Sequence, residues 1–131
     1  MRYAIIALPV IVVLAVLFVA LQGTSGEKAM SGIEGRIVLA PICPVEQIPP
    51  DPACAPVPYE TTVTVSKSGT ERILATVATD KQGYFSINLV PGMYVLTPKG
   101  GSVLPSCNEV VVEVFPDLFA YTDISCDTGI R

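Results

Sequence analysis

The sequence predicts an all-β fold, a seven-stranded sandwich preceded by one N-terminal hydrophobic helix. Three observations carry this. Short apolar segments beyond Gly32 alternate with a period of two residues and recur at intervals bounded by Gly, Pro, Asp and Ser, which is the signature of half-buried strands joined by turns. Outside the N-terminal stretch no 3.6-residue apolar period arises, so no second helix is expected. No internal repeat is visible, and about 100 residues of patterned chain suit one domain.

Tyr3 to Leu21 runs nineteen residues without a charge behind Arg2. As a helix this stretch spans about 28 Å, close to the hydrocarbon thickness of a bilayer. It reads as a signal anchor, residues 1–21 with the transmembrane helix over 3–21. A cleaved signal peptide is the alternative, because small residues at Gly23, Ser25 and Gly26 offer a weak cleavage site. With Arg2 on the cytoplasmic side, the remainder faces outward. The chain is therefore expected at the cell membrane, single-pass with its domain outside the cytoplasm, or secreted if the leader is removed. Residues 22–31, rich in Gly, Ser and Thr, read as a flexible spacer. The domain is expected to occupy 32–131.

The first strand covers Ile33 to Leu39, with Ile33, Gly35, Ile37 and Leu39 on one face and Glu34, Arg36 and Val38 on the other. Seven of the twelve prolines then fall between Pro41 and Pro58, a density that forbids helix and central strand and predicts an irregular loop. Thr61 to Ser66 alternates Val63 and Val65 with hydroxyl residues, and Ser68-Gly69 turns it into a strand over Arg72 to Ala78. Asp80 and Gly83 bracket a tight turn. From there Phe85, Ile87 and Leu89 oppose Tyr84, Ser86 and Asn88, and Pro91-Gly92 reads as the centre of a type II turn leading into Met93 to Thr97. The two strands around Pro91-Gly92 are expected to form a hairpin. Lys99 to Pro105 is a loop, and Val110 to Val114 and Ala120 to Ser125 are joined around Pro116-Asp117.

The run from Asp80 to Leu96, D-x-x-G-x-F-x-I-x-L-x-P-G-x-Y-x-L, resembles the carboxypeptidase regulatory-like domains, small sandwiches of the prealbumin-like (transthyretin-like) and carbohydrate-binding-like fold group. Pro41-Ile42-Cys43-Pro44-Val45, Asp51-Pro52-Ala53-Cys54 and the ending Asp127-Thr128-Gly129-Ile130-Arg131 are similar to a bacterial secreted subgroup of it, and the resemblance covers about 32–131. It implies a fold and an accessory role, not a reaction. The pair Cys107 and Cys126 departs from the subgroup's pattern.

Four cysteines in an exported domain of this size suggest two disulfides, for which sequence allows three connectivities. Cys43 and Cys54 bound the proline loop, whereas Cys107 and Cys126 stand symmetrically about Pro116-Asp117, so the expected pairs are Cys43 with Cys54 and Cys107 with Cys126. Spacings of C-x10-C and C-x18-C with no histidine speak against structural zinc.

Composition narrows the function classes. A net charge of -4 and only 15% charged residues disfavour a nucleic-acid partner. The absence of His removes the commonest general base and transition-metal ligand, and no Trp is present for sugar stacking. Asp127-Thr128-Gly129 matches the aspartic-protease triplet, but four residues from the C-terminus it has no dry cleft for two carboxylates. Serine paired with Lys67, Lys81 or Lys99 falls on turns. No catalytic, cofactor-binding or metal site is assigned. Of the aromatics Tyr84, Tyr94, Phe115, Phe119 and Tyr121, most are expected as core or edge fillers, with Tyr84 the best exposed. Asp80 and Asn88 carry the elements of a calcium site, but Asp80 is expected as a turn residue. The expectation is a non-catalytic extracytoplasmic module, membrane-tethered, serving as an accessory, scaffolding or protein-interaction domain at the cell surface. The alternative is a weak carbohydrate-binding module for envelope or extracellular glycans, with Tyr84, Asn88 and Tyr121 as its ligand surface.

Overall fold

The computed structural model describes residues 30–131. The hydrophobic stretch and almost all of the spacer lie outside the described residues, within which no helix is long and apolar enough to cross a membrane.

Among the described residues nine strands form two sheets. In chain order they are β1 (Gly32–Ala40), β2 (Val57–Pro58), β3 (Thr62–Lys67), β4 (Ile73–Ala78), β5 (Tyr84–Asn88), β6 (Gly92–Pro98), β7 (Ser106–Cys107), β8 (Val110–Val114) and β9 (Phe119–Asp127). The seven longer strands are those the alternation predicts. The two-residue strands β2 and β7 are additions, in segments that read as loops. Pro58 is accommodated because β2 lies at a sheet edge, where a missing N–H breaks no ladder. Within the proline loop, Pro52–Cys54 forms a single 3-10 turn capped by Asp51, whose Oδ1 accepts the Ala53 N–H at 2.9 Å.

The first sheet runs β2-β1-β9-β7, with β5 also paired to β1 on the β2 side; the second runs β4-β3-β6-β8. This topology corrects one expectation. β5 and β6 do not form a hairpin: β5 pairs with β1 in the first sheet, and β6 pairs with β3 and β8 in the second. Pro91-Gly92 is a bend at which the chain changes sheets, and Gly92 has φ 158°, extended rather than the φ near 80° of a type II turn. β8 and β9 likewise lie in different sheets, with Asp117 in the turn between them at φ 59°. By contrast β3 and β4 form the expected antiparallel hairpin.

The Asp80 turn is built as its residues require. Oδ1 of Asp80 accepts N–H groups from Gln82 (2.8 Å) and Tyr84 (2.9 Å), Gly83 donates to the Asp80 carbonyl, and Gly83 holds φ 79°. A side chain at Gly83 would also run into the Ile37 carbonyl, so the position excludes Cβ twice over.

Between the sheets lies one core of Ile33, Ile37, Val63, Val65, Phe85, Tyr94, Leu96, Val114, Ile124 and Cys126. Alternation places them there: Ile33 and Ile37 come from the inner face of β1, Val63 and Val65 from β3, Tyr94 and Leu96 from β6. Buried polar groups are bonded. Thr79 Oγ1 accepts the Thr61 N–H at 2.7 Å, and Ser31 Oγ donates to the Leu89 carbonyl at 2.6 Å.

Both disulfides pair as the spacing suggests, Cys43 with Cys54 and Cys107 with Cys126. Cys107 and Cys126 are directly opposed across the β7–β9 ladder, so the second bridge closes a cross-strand pair rather than a β8–β9 hairpin. The C-terminus is tied back as well. Thr128 donates its N–H to the Ala40 carbonyl and its hydroxyl to that of Pro41, and Arg131 makes a two-pronged bond to Asp127 with its closer contact at 2.8 Å.

Candidate functional site

The outer face of the first sheet gathers the most functional chemistry in the described residues. Strand alternation turns Glu34 and Arg36 of β1, Tyr84, Ser86 and Asn88 of β5, and Tyr121 and Asp123 of β9 to this one side. The register aligns them in rows: Tyr84, Arg36 and Asp123 across one, Ser86, Glu34 and Tyr121 across the next, Asn88 and Phe119 flanking Gly32 across the third. With β1 between them and a two-residue stagger, the Tyr84 and Tyr121 backbones stand about 12 Å apart.

Each tyrosine is held by a charged neighbour. The Arg36 guanidinium lies 5.2 Å from the centroid of the Tyr84 ring, and its Nε donates to the Gln82 carbonyl at 3.1 Å, which fixes it over that ring. The Tyr121 hydroxyl donates to Asp123 Oδ1 at 2.9 Å; that bond, then partial desolvation of the phenol, and then the nearby carboxylate charge raise its pKa above the ordinary 10.0. Tyr84 is 46% exposed and Tyr121 57%. Both line an open depression of about 420 Å³ with Glu34, Asp80 and Ser86.

The three residues grouped by sequence therefore separate. Tyr84 and Tyr121 share a depression. Asn88 shares their face but lines a different, apolar depression of about 520 Å³ at the end of the sandwich, with Met30, Leu89, Val90, Pro91 and Pro116. Glu34, Arg36 and Asp123 join the tyrosines; their outward position was legible from alternation, but their proximity depends on β9 pairing with β1. The five aromatics divide differently from expectation, and Tyr84 is not the best exposed of them, since Tyr121 and Phe115 are more so. Only Tyr94 is fully in the core, its hydroxyl bonded to the Val90 carbonyl at 2.6 Å, while Phe115 is 52% exposed in a loop and Phe119 is half-buried. A ring on the inner face of a sheet meets the facing sheet, whereas a ring on an outer face or in a loop has no partner layer.

This surface presents two exposed tyrosines, a guanidinium over one of them and three carboxylates, Glu34, Asp80 and Asp123. It suits hydrogen bonding and stacking to an extended polar ligand. Among the described residues no group of three or more Cys, Asp or Glu side chains converges as a metal site, and all four thiols are engaged in disulfides.

No protein-family model matches the sequence, and no curated protein matches it. Among solved structures, the fold is similar to GBS52, the minor pilin of the Gram-positive pathogen Streptococcus agalactiae, with a TM-score of 0.51 and 14% identity over 76% of this chain and 45% of the pilin. The chain thus spans less than half the length of that protein, and at this identity the likeness is one of β-sandwich fold.

Proposed function

We propose that this chain is a non-catalytic extracytoplasmic module of the carboxypeptidase regulatory-like type, held at the cell surface by its N-terminal segment and serving as an accessory or protein-interaction domain. The observation that carries the reading is the pair of disulfides, one closing the proline loop and the other a cross-strand pair between β7 and β9. Such bridges form and persist in oxidising compartments and are rare in the cytosol. The uncharged Tyr3 to Leu21 stretch supports export, and the fold likeness to a pilin is compatible with a surface setting. Activity in this reading comes from a partner. Membrane fractionation with N-terminal sequencing tests it: an intact Met1 in the membrane pellet is expected. A start near Ser25 or Glu27 in the medium replaces the tether with secretion, and four free thiols on protein from cells reject the compartment.

A second reading is favoured by one feature, the pair of exposed tyrosines flanking Glu34 and Arg36 on a sheet face. It makes the first sheet a weak glycan-binding surface. Calorimetry with cell-wall fragments distinguishes the two: measurable heat abolished by Tyr84→Ala supports glycan binding, and no heat from any fragment leaves protein interaction.

A further inference from the structure

The second sheet ends at β4, and the ladder determines which of that strand's backbone groups are left over. Thr79 donates its N–H to the Thr61 carbonyl at 2.8 Å, which continues a register of Val63 with Val77 and Val65 with Ala75. These are the hydrogen-bonded pairs, so the N–H and C=O groups of Thr76 and Ala78 point away from β3. Among the described residues no strand lies beyond them. From Ile73 to Ala78 the edge carries neither a charge nor a proline, the usual guards of an open strand; its one irregularity is the register shift opposite Val65 and Ser66, which leaves Ala75 to Ala78 regular. Ile73 is 63% exposed and Leu74 45%.

We propose that this edge is a homotypic interface, pairing antiparallel with β4 of a second copy of the chain in the register centred on Thr76. Two identical antiparallel strands are related by a two-fold axis, so their register is defined by its centre. Placing the outward groups opposite each other admits centres at Ala75, Thr76 and Val77. The Thr76 centre opposes Thr76 to Thr76 and, on each side, Ala78 to Leu74 at the register shift, whereas the Val77 centre pairs Thr76 with Ala78 twice, so the flanking charges decide between them. Carried into the flanks, the Thr76 centre sets Arg72 against Asp80 of the other copy and Glu71 against its Lys81, each twice. The other centres bring none of these four together. Among the described residues the one ion pair is Asp127 with Arg131, and Arg72 and Asp80 are both exposed. Oδ1 of Asp80 is engaged in its own turn, which leaves Oδ2 for the guanidinium. The second copy satisfies the edge and complements its charge pattern, and it does so whether the chain is tethered or secreted.

Sedimentation velocity on the full chain in mild detergent tests this. A dimer that weakens with salt is expected, because its flanks are held by exposed ion pairs. Thr76→Pro removes only an outward N–H and is expected to yield a folded monomer. Arg72→Glu leaves the fold alone and is expected to weaken dimerisation about tenfold, through two lost pairs and two repulsions; it decides the matter if Thr76→Pro fails to fold. Thr76→Cys is expected to cross-link across the axis, since opposed Cα atoms in a hydrogen-bonded pair lie about 5.5 Å apart. Thr64→Cys, one strand inward, is expected not to. A chain monomeric up to its highest soluble concentration overturns the proposal, as does a dimer indifferent to both Thr76→Pro and Arg72→Glu.

Discussion

Gly83 shows how much a single position can carry in this molecule. It combines a left-handed φ of 79° with close approach to the Ile37 carbonyl, so Gly83→Ala is expected to destabilise by about 2–4 kcal/mol, read as a fall in thermal midpoint. Two titrating groups act at the same scale. Hydrogen bonds from Arg131 and then the Gly129 N–H hold the Asp127 carboxyl at about 2, below its ordinary 3.8. Because the folded value is the lower one, the stability Asp127 contributes is complete above the unfolded value and is lost as pH falls toward 2. The gap in thermal midpoint between the native chain and Asp127→Asn is therefore expected to close between pH 4 and pH 2; a gap constant over that range contradicts the assignment. Tyr121 has the opposite sign. Its folded pKa lies above the unfolded one, so its contribution is present below about pH 10 and fades as the phenol ionises. Ultraviolet titration of Asp123→Asn should show one tyrosine ionising at lower pH than in the native chain.

At the scale of elements, the two disulfides have different tasks. By loop length each stabilises by about 3 kcal/mol. Cys126 is fully buried in the core, whereas Cys43 and Cys54 staple an exposed loop. Replacing Cys107 and Cys126 by Ala is therefore expected to cost more stability than replacing Cys43 and Cys54, since it also opens a gap between the sheets. Loss of the Cys43–Cys54 bridge should raise amide exchange in 41–58 while leaving β3 and β6 protected. The Asp80 turn and the β3–β4 hairpin were legible in sequence because local residue chemistry dictates each. The Pro91-Gly92 connection was not. The same dipeptide serves a hairpin or a bend between sheets, and the choice rests on which partners β5 and β6 find, not on the turn itself.

For the whole molecule, β1 is the hub, paired with β2, β5 and β9. Its nine-residue parallel ladder with β9 joins the two ends of the domain. Truncation before Phe119 is therefore expected to abolish folding, because it strips β1 of that ladder and the core of Ile124 and Cys126. Removing only residues 128–131 is expected to lower the thermal midpoint modestly, through lost bonds to Ala40 and Pro41. Circular dichroism melts of the two truncations separate these outcomes.

Alternation marked out the seven principal strands and the core-facing side of β1, β3 and β5, and spacing suggested the two cysteine pairs, because side-chain direction and chain reach are local properties. Only the tertiary structure decided that β5 and β6 part company, that β9 runs parallel to β1, and that Tyr84 and Tyr121 share a depression while Asn88, on the same face, lines another. Those facts depend on contacts between residues far apart in the chain, and a period of two residues says which face is buried but not against which strand.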